Sequence, residues 1–269
     1  MPSLRGEMHL KRLVVAAVLL PFLYLYIMYL SPAYFILLLI IMSVVALSEF
    51  YAMYHVAGIL RYSGIFFGIL ILCTFYFSRG FLFNVSIFSV MALATMRLFY
   101  KRDPRGSLYD TSIPVFGLLY IPGLLTFQGY IREAGPEWII LLYATVWAAD
   151  SMAFYIGTFI GKKKLYVEVS PNKTVAGAAG SLIGGVLGVV VMKYTLVPVL
   201  TVSSVLIIGI MIGAVTVIGD LVESMLKRDA GVKDSGIIIP GHGGILDKLD
   251  GALFAGPVLF WFIIALKIK

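Results

Sequence analysis

Asp220, Glu223, Ser224 and Lys227 stand at i, i+3, i+4 and i+7, so a helix brings all four to one face. Carboxylates so arranged suit a hard cation such as Mg²⁺, and a lysine beside them suits phosphate oxygens. For Glu223 and Lys227 an ordinary i,i+4 pair, worth about 0.2–0.5 kcal/mol, is the plainer alternative. Asp220 directly follows the apolar run Val217-Ile218-Gly219, where charge is expensive and therefore points to function. Further on, Pro240-Gly241-His242-Gly243-Gly244 frees the backbone for close approach to a ligand. Asp247 and Asp250 then open the last apolar run, again at i and i+3. One of them suffices to cap a helix; a second, nearer the bilayer, points to metal ligation. Acids and bases mixed with glycines in this way predict a metal-assisted reaction on a phosphorylated substrate.

A third constellation lies upstream. Gly161-Lys162-Lys163-Lys164 and Ser170-Pro171-Asn172-Lys173-Thr174 precede an apolar run. The second segment supplies a helix cap and a lysine at a helix N-terminus, which is good phosphate geometry. The lysine triplet reads equally well as an anchor on the cytoplasmic side of a membrane. No G-x-x-x-x-G-K-[ST] loop is present, so the logic of soluble nucleotide hydrolases does not apply. Asp150 lies in the middle of an apolar run, and a carboxylate that deep needs a cation, a lysine or a metal as partner.

The elements that must position these residues are membrane helices. The chain is 61% hydrophobic and 13% charged, against about 45–50% and about 25% in soluble domains, and its mean hydropathy is +0.99. A crossing takes about 20 apolar residues. Nine runs fit: 13–30, 33–54, 63–78, 81–99, 112–128, 138–160, 175–197, 201–222 and 252–268. The expected fold is therefore all-α and polytopic. Arg5, Lys11 and Arg12 precede an apolar run too long for a signal peptide, so a retained first helix is expected. Pro114 and Pro122 predict a kink in the fifth span. Gly177, Gly180, Gly184, Gly185 and Gly188 predict close helix packing in the seventh. The lone Cys73 excludes a disulfide framework. Residues 1–110 form an N-terminal membrane region of spans 1–4; residues 111–269 form a catalytic region of spans 5–9, with loops 161–174 and 223–251.

Fifteen of the 21 lysines and arginines fall on the N-terminus and on the connections after even-numbered spans. The positive-inside rule assigns that side, with both charged loops, to the cytoplasm. Basic residues scattered over short loops argue against nucleic acid as a partner, and the net charge of +7 favours an anionic membrane surface.

The run from Ser224 to Asp250, S-M-L-K-R-x4-K-D-S-G-x3-P-G-H-G-G-I-L-D-K-L-D, resembles the signature of the phosphatidate cytidylyltransferases, or CDP-diacylglycerol synthases. The segments starting at Asp150 and Ser170 are similar to further blocks of that family, so the likeness covers about the last 120 residues. Two positions depart from the family pattern. Lys248 replaces an arginine, keeping charge without bidentate geometry, and Ala176 replaces a glutamate. The resemblance implies that CTP and phosphatidate give CDP-diacylglycerol and pyrophosphate with Mg²⁺, at the cytoplasmic leaflet of the inner membrane. It implies Asp220 and Asp247 as metal ligands, joined by Asp250 and Asp150, with room for a second cation such as K⁺. Lys173, Lys227 and Arg228 would hold phosphates, His242 would orient the triphosphate, and Ser170, Asn172, Gly243, Gly244 and Lys248 would line the substrate site. The implied partners are CTP, phosphatidate and membrane lipids, and a homodimer is compatible with it. A CTP-dependent lipid kinase and a cation transporter using Asp150 and Asp220 fit parts of the same pattern.

Overall fold

The computed structural model describes residues 21–236, 238 and 243–266. After a helical stretch at 21–29 come α1 (Pro32–Met53), α2 (Gly58–Phe77), a 3₁₀ turn (Arg79–Phe81) and α3 (Leu82–Tyr100). Then follow α4 (Ser107–Leu118), a π-helical turn (Leu119–Gly123), α5 (Leu124–Ala134) and α6 (Pro136–Ile160). A β-hairpin of β1 (Lys164–Tyr166) and β2 (Ser170–Thr174) leads into α7 (Val175–Thr195), α8 (Val202–Asp229) and α9 (Leu246–Ala265). Among the described residues, eight helical segments are long and apolar enough to cross a membrane, which makes the protein an all-α polytopic membrane protein. The first expected span lies largely outside the described residues.

Where the sequence and the structure differ, the helices outrun their hydropathy. Span eight was expected to stop at 222, yet α8 continues to Asp229; span nine was expected from 252, yet α9 begins at Leu246. Span three likewise starts at Gly58 rather than 63, and span five covers Ser107–Ala134 rather than 112–128. The backbone ladder needs no apolar side chains, so charge ends the hydropathic signal before it ends the helix. At about 1.5 Å per residue α8 is about 42 Å long, more than the roughly 30 Å hydrocarbon layer, so its charged end projects beyond it. In the fifth span Pro122 lacks the N–H that would close an α-turn, and the ladder widens into the π-turn there.

The glycine stripe of α7 sets how closely α6, α7 and α8 pack. A Cβ on Gly180 would sit 2.7 Å from the Met152 carbonyl oxygen, and one on Gly188 would sit 2.8 Å from the Thr145 Cα. On the other side, a Cβ on Gly213 of α8 would lie 2.9 Å from the Leu182 Cα. Side chains of zero size thus let α6, α7 and α8 meet backbone to backbone, as the glycine spacing predicted.

Side-chain ties show that the connections alternate between two ends. At one, Arg132 donates to the Leu30 carbonyl at 3.0 Å and Arg79 pairs with Glu133. At the other, the Tyr54 hydroxyl donates to the Leu226 carbonyl at 3.1 Å and to Asp229 at 3.0 Å, and Arg228 donates to the Val169 carbonyl at 3.4 Å. The hairpin and the charged end of α8 share this second end.

Candidate active site

One cavity of about 1470 Å³ runs between α1, α6, α8, α9 and the hairpin. Its polar end carries five carboxylates (Asp150, Asp220, Glu223, Asp247 and Asp250) and four lysines (Lys164, Lys173, Lys227 and Lys248). Its other limb is apolar, lined by Leu38, Leu39, Met42, Ile140 and Trp147 among others. Pockets for drug-sized ligands hold roughly 300–1,000 Å³, so this one has room for more than one such molecule.

Each polar group owes its place to an identifiable local feature. α8 is unbroken through Lys227, so Asp220, Glu223, Ser224 and Lys227 do share a face. Ser224 donates to Asp220 at 3.4 Å. Lys173 enters from β2, and its ammonium lies 2.6 Å from Asp220 as an ion pair. The expected cap is present: Thr174 accepts from the Gly177 N–H at 3.0 Å and starts α7 at that point. Lys227 lies 2.6 Å from Asp247 and 3.3 Å from Glu223. That trio is desolvated, with side-chain exposures of 12%, 10% and 1% respectively. The Glu223 carboxylate oxygens accept no hydrogen bond, so Lys227 compensates them by charge alone.

Asp247 and Asp250 lie in the first turns of α9, as their spacing predicted. Asp250 accepts from the Gly251 N–H at 2.7 Å. Asp247 is held more firmly: its Oδ2 accepts from the Gly244 N–H at 2.7 Å and the Ser235 N–H at 3.1 Å, and lies 3.0 Å from the Ser235 hydroxyl oxygen. Gly243 has φ +87°, and a Cβ there would run into Asp247 Oδ2. Gly243 and Gly244, which follow the expected histidine, therefore serve close backbone packing around Asp247.

Not every expected residue reaches the cavity. Asn172 and Lys248 line it, but Arg228 ties α8 to the hairpin turn through the Val169 carbonyl and donates to the Val232 carbonyl at 3.1 Å. Ser170 pairs with Tyr166 across the hairpin, and Gly243 and Gly244 pack behind Asp247 rather than facing the cavity. His242 lies outside the described residues. Sequence reading passed over Glu49, included Ser235 only as part of the signature run, and left Lys164 between phosphate contact and membrane anchor. Glu49 sits in α1, is 5% exposed, and accepts from Ile245 N–H, Leu246 N–H and the Ser235 hydroxyl. An acid inside an apolar run was the one available signal for it.

Among the described residues no three acidic, histidine or cysteine side chains converge as a ready-made metal cage. The donor chemistry nevertheless fits a hard cation: carboxylate oxygens from three helices face one cavity, and two of them on buried Glu223 lack a hydrogen-bond donor.

Comparison with known proteins gives a consistent picture. The model of a family described as the cytidylyltransferase family matches residues 10–266. A protein from Synechocystis sp. named phosphatidate cytidylyltransferase is 46% identical over 131 residues, covering 47% of this chain and 43% of that protein. Proteins of the same name from Staphylococcus haemolyticus and Bacillus subtilis are each 36% identical, over 65% and 68% of this chain and 68% of their own lengths. The chain thus aligns with less than half of the cyanobacterial relative and about two thirds of the other two.

Proposed function

Because the chain belongs to the cytidylyltransferase family, we propose that it transfers CMP from CTP to phosphatidate, giving CDP-diacylglycerol and pyrophosphate. The observation that carries this reading is the joining, in one cavity, of a charged end to an apolar limb. A nucleotide needs the first and an acyl chain the second. In the reaction a phosphate oxygen of phosphatidate attacks the α-phosphorus of CTP, and the bond from that phosphorus to the β-phosphate bridging oxygen breaks. The attacking oxygen is already anionic, so no strong base is required. The task is to bring two anions together, in line and out of bulk water, by positioning and electrostatics.

Lys173, in β2 just before α7, and Lys164 and Lys248, at the rim, suit the triphosphate. Lys227 keeps Glu223 and Asp247 paired in a desolvated wall. Four lysines against five carboxylates leave the cavity without the positive charge that two phosphorylated substrates demand. Asp220, Asp247, Asp250 and Asp150 would hold Mg²⁺, which when bound offsets charge on the α-phosphate and leaving pyrophosphate. The asymmetry of basic residues supports an inner-membrane orientation with the N-terminus, hairpin and α8–α9 loop in the cytoplasm, where CTP is available.

The deciding experiment incubates purified protein in detergent with CTP, phosphatidate and Mg²⁺, following pyrophosphate and CDP-diacylglycerol. Both should appear in equal amounts, cease with EDTA, and be lost in Asp220→Asn. Release of CDP with a newly phosphorylated lipid alcohol would identify a lipid kinase instead. Cation flux without nucleotide consumption would identify a transporter.

A further inference from the structure

We infer that Glu49 is a positioning residue for the transfer, fixing from α1 which oxygen of Asp247 faces the substrates; this rests on the function proposed above. Glu49 belongs to the half of the chain that otherwise reads as generic membrane helix, yet its carboxylate reaches 186 to 197 residues along the sequence. Oε1 accepts from Ile245 N–H at 3.0 Å, and Oε2 accepts from Leu246 N–H at 2.9 Å and from the Ser235 hydroxyl at 3.1 Å. Ile245 and Leu246 are the N-cap and first residue of α9, which has no side-chain cap of its own. The cap of α9 thus comes from another helix, and a carboxylate suits the positive end of the helix dipole.

No lysine or arginine among the described residues forms an ion pair with Glu49. A buried carboxylate compensated only by N–H and O–H donors depends on every one of them. The surrounding backbone is shaped to allow it. A Cβ on Gly236 would come within 2.6 Å of Glu49 Oε1, and one on Gly244 would strike both the Glu49 and Ser235 side chains.

Ser235 passes the constraint to Asp247. Its hydroxyl lies between Glu49 Oε2 and Asp247 Oδ2, and its N–H also donates to Oδ2. With Gly244 N–H added, Oδ2 accepts from two backbone N–H groups, which fill its two lone pairs even when the single Ser235 hydroxyl proton is turned to Glu49. Oδ1 is left as the oxygen turned to Lys227, on the cavity side. Loosen Glu49, and both ends of the loop lose their common anchor, so either Asp247 oxygen can turn inward.

The test compares Glu49→Gln, Ser235→Ala and the double variant with the unaltered chain in detergent. A glutamine presents an NH₂ to donors on one side, breaking the cap with little change in shape. Glu49→Gln should lower kcat about tenfold to a hundredfold, as loss of partners behind a ligand carboxylate does. KM for CTP and for phosphatidate should stay within about threefold, and half-saturating Mg²⁺ should rise. Ser235→Ala should show the same pattern more weakly, and the double variant should be no worse than Glu49→Gln alone. Hydrogen exchange of the peptides containing Ser235 and Gly244–Leu246 should quicken in Glu49→Gln.

Unchanged kcat and Mg²⁺ dependence, or multiplying effects in the double variant, would overturn the inference. If Glu49→Gln does not fold, a folded Ser235→Ala with unaltered kcat and Mg²⁺ dependence overturns it equally. If the unaltered chain makes no CDP-diacylglycerol, the proposed function fails, while the exchange experiment still reads the tie between Glu49 and α9.

Discussion

Lys173 and Lys227 pair with three carboxylates in the same cavity, but their surroundings assign them different duties. Lys227, Glu223 and Asp247 are almost fully desolvated, whereas Lys173 and Asp220 retain 19% and 37% of their side-chain exposure. Removing one member of a buried ion pair leaves its partner's charge uncompensated, at a cost of about 3–5 kcal/mol, whereas exposed pairs contribute about 0–1 kcal/mol. Lys227→Met should therefore destabilise the protein by about 3 kcal/mol or more in thermal unfolding in detergent. Adding Glu223→Gln should recover part of that loss, because it removes one stranded charge. Lys173→Met should destabilise less than Lys227→Met, because the Asp220 carboxylate it strands keeps 37% of its exposure and stays hydrated, and yet lose most of its CMP transfer. Equal destabilisation by the two substitutions would refute the division. The signal that distinguishes them is burial, which helical spacing alone does not carry.

The element that brings Asp150, Lys173 and Asp220 together is α7, and it does so by what it lacks. A Cβ on Gly184 would collide with the Ala148 carbonyl and lie 2.8 Å from the Met152 Cβ. Gly184→Leu should push α6 from α7, at about 1–3 kcal/mol or more for overpacking, lowering both the folded yield on size exclusion and CMP transfer. Val191→Leu, on the same helix but 59% exposed, should leave both unchanged; loss in both variants would mean that bulk, not close approach, is the issue. That packing was legible because spacing at i and i+4 is a helical signal, and so were the faces of α8 and α9. The hairpin was not. Lys164–Tyr166 and Ser170–Thr174 are too short and too polar to alternate, and backbone pairing between them leaves no trace in residue type. Glu49 was hidden for a related reason: two of its three partners are backbone N–H groups, identical in every residue but proline.

Across the whole molecule, the ties between helix ends make topology a strong constraint. Tyr54 meets the end of α8 and a Cβ on Gly58 would meet the Tyr100 hydroxyl, so the connections after α1, α3 and α8 lie together. The Arg228 contact adds the hairpin to that end, while Arg79, Glu133 and Leu30 mark the opposite one. The exposed bases Lys101, Arg102, Arg105, Lys162 and Lys163 thus gather on the site's side, for which the positive-inside rule predicts a cytoplasmic location. Arg97, 3% exposed, fixes one of these connections by donating to the Lys101, Asp103 and Arg105 carbonyls and pairing with Asp110 at 2.7 Å. In a Cys73→Ser background, single substitutions Arg105→Cys, Lys163→Cys and Gly80→Cys probe both ends; a Cβ on Gly80 meets nothing within 4 Å. A membrane-impermeant maleimide should label Arg105→Cys and Lys163→Cys in inside-out vesicles and Gly80→Cys in right-side-out ones. Reversed labelling of all three would invert the orientation and put the site on the side that lacks CTP. Labelling of Arg105→Cys and Lys163→Cys from opposite faces would contradict the helix-end contacts themselves.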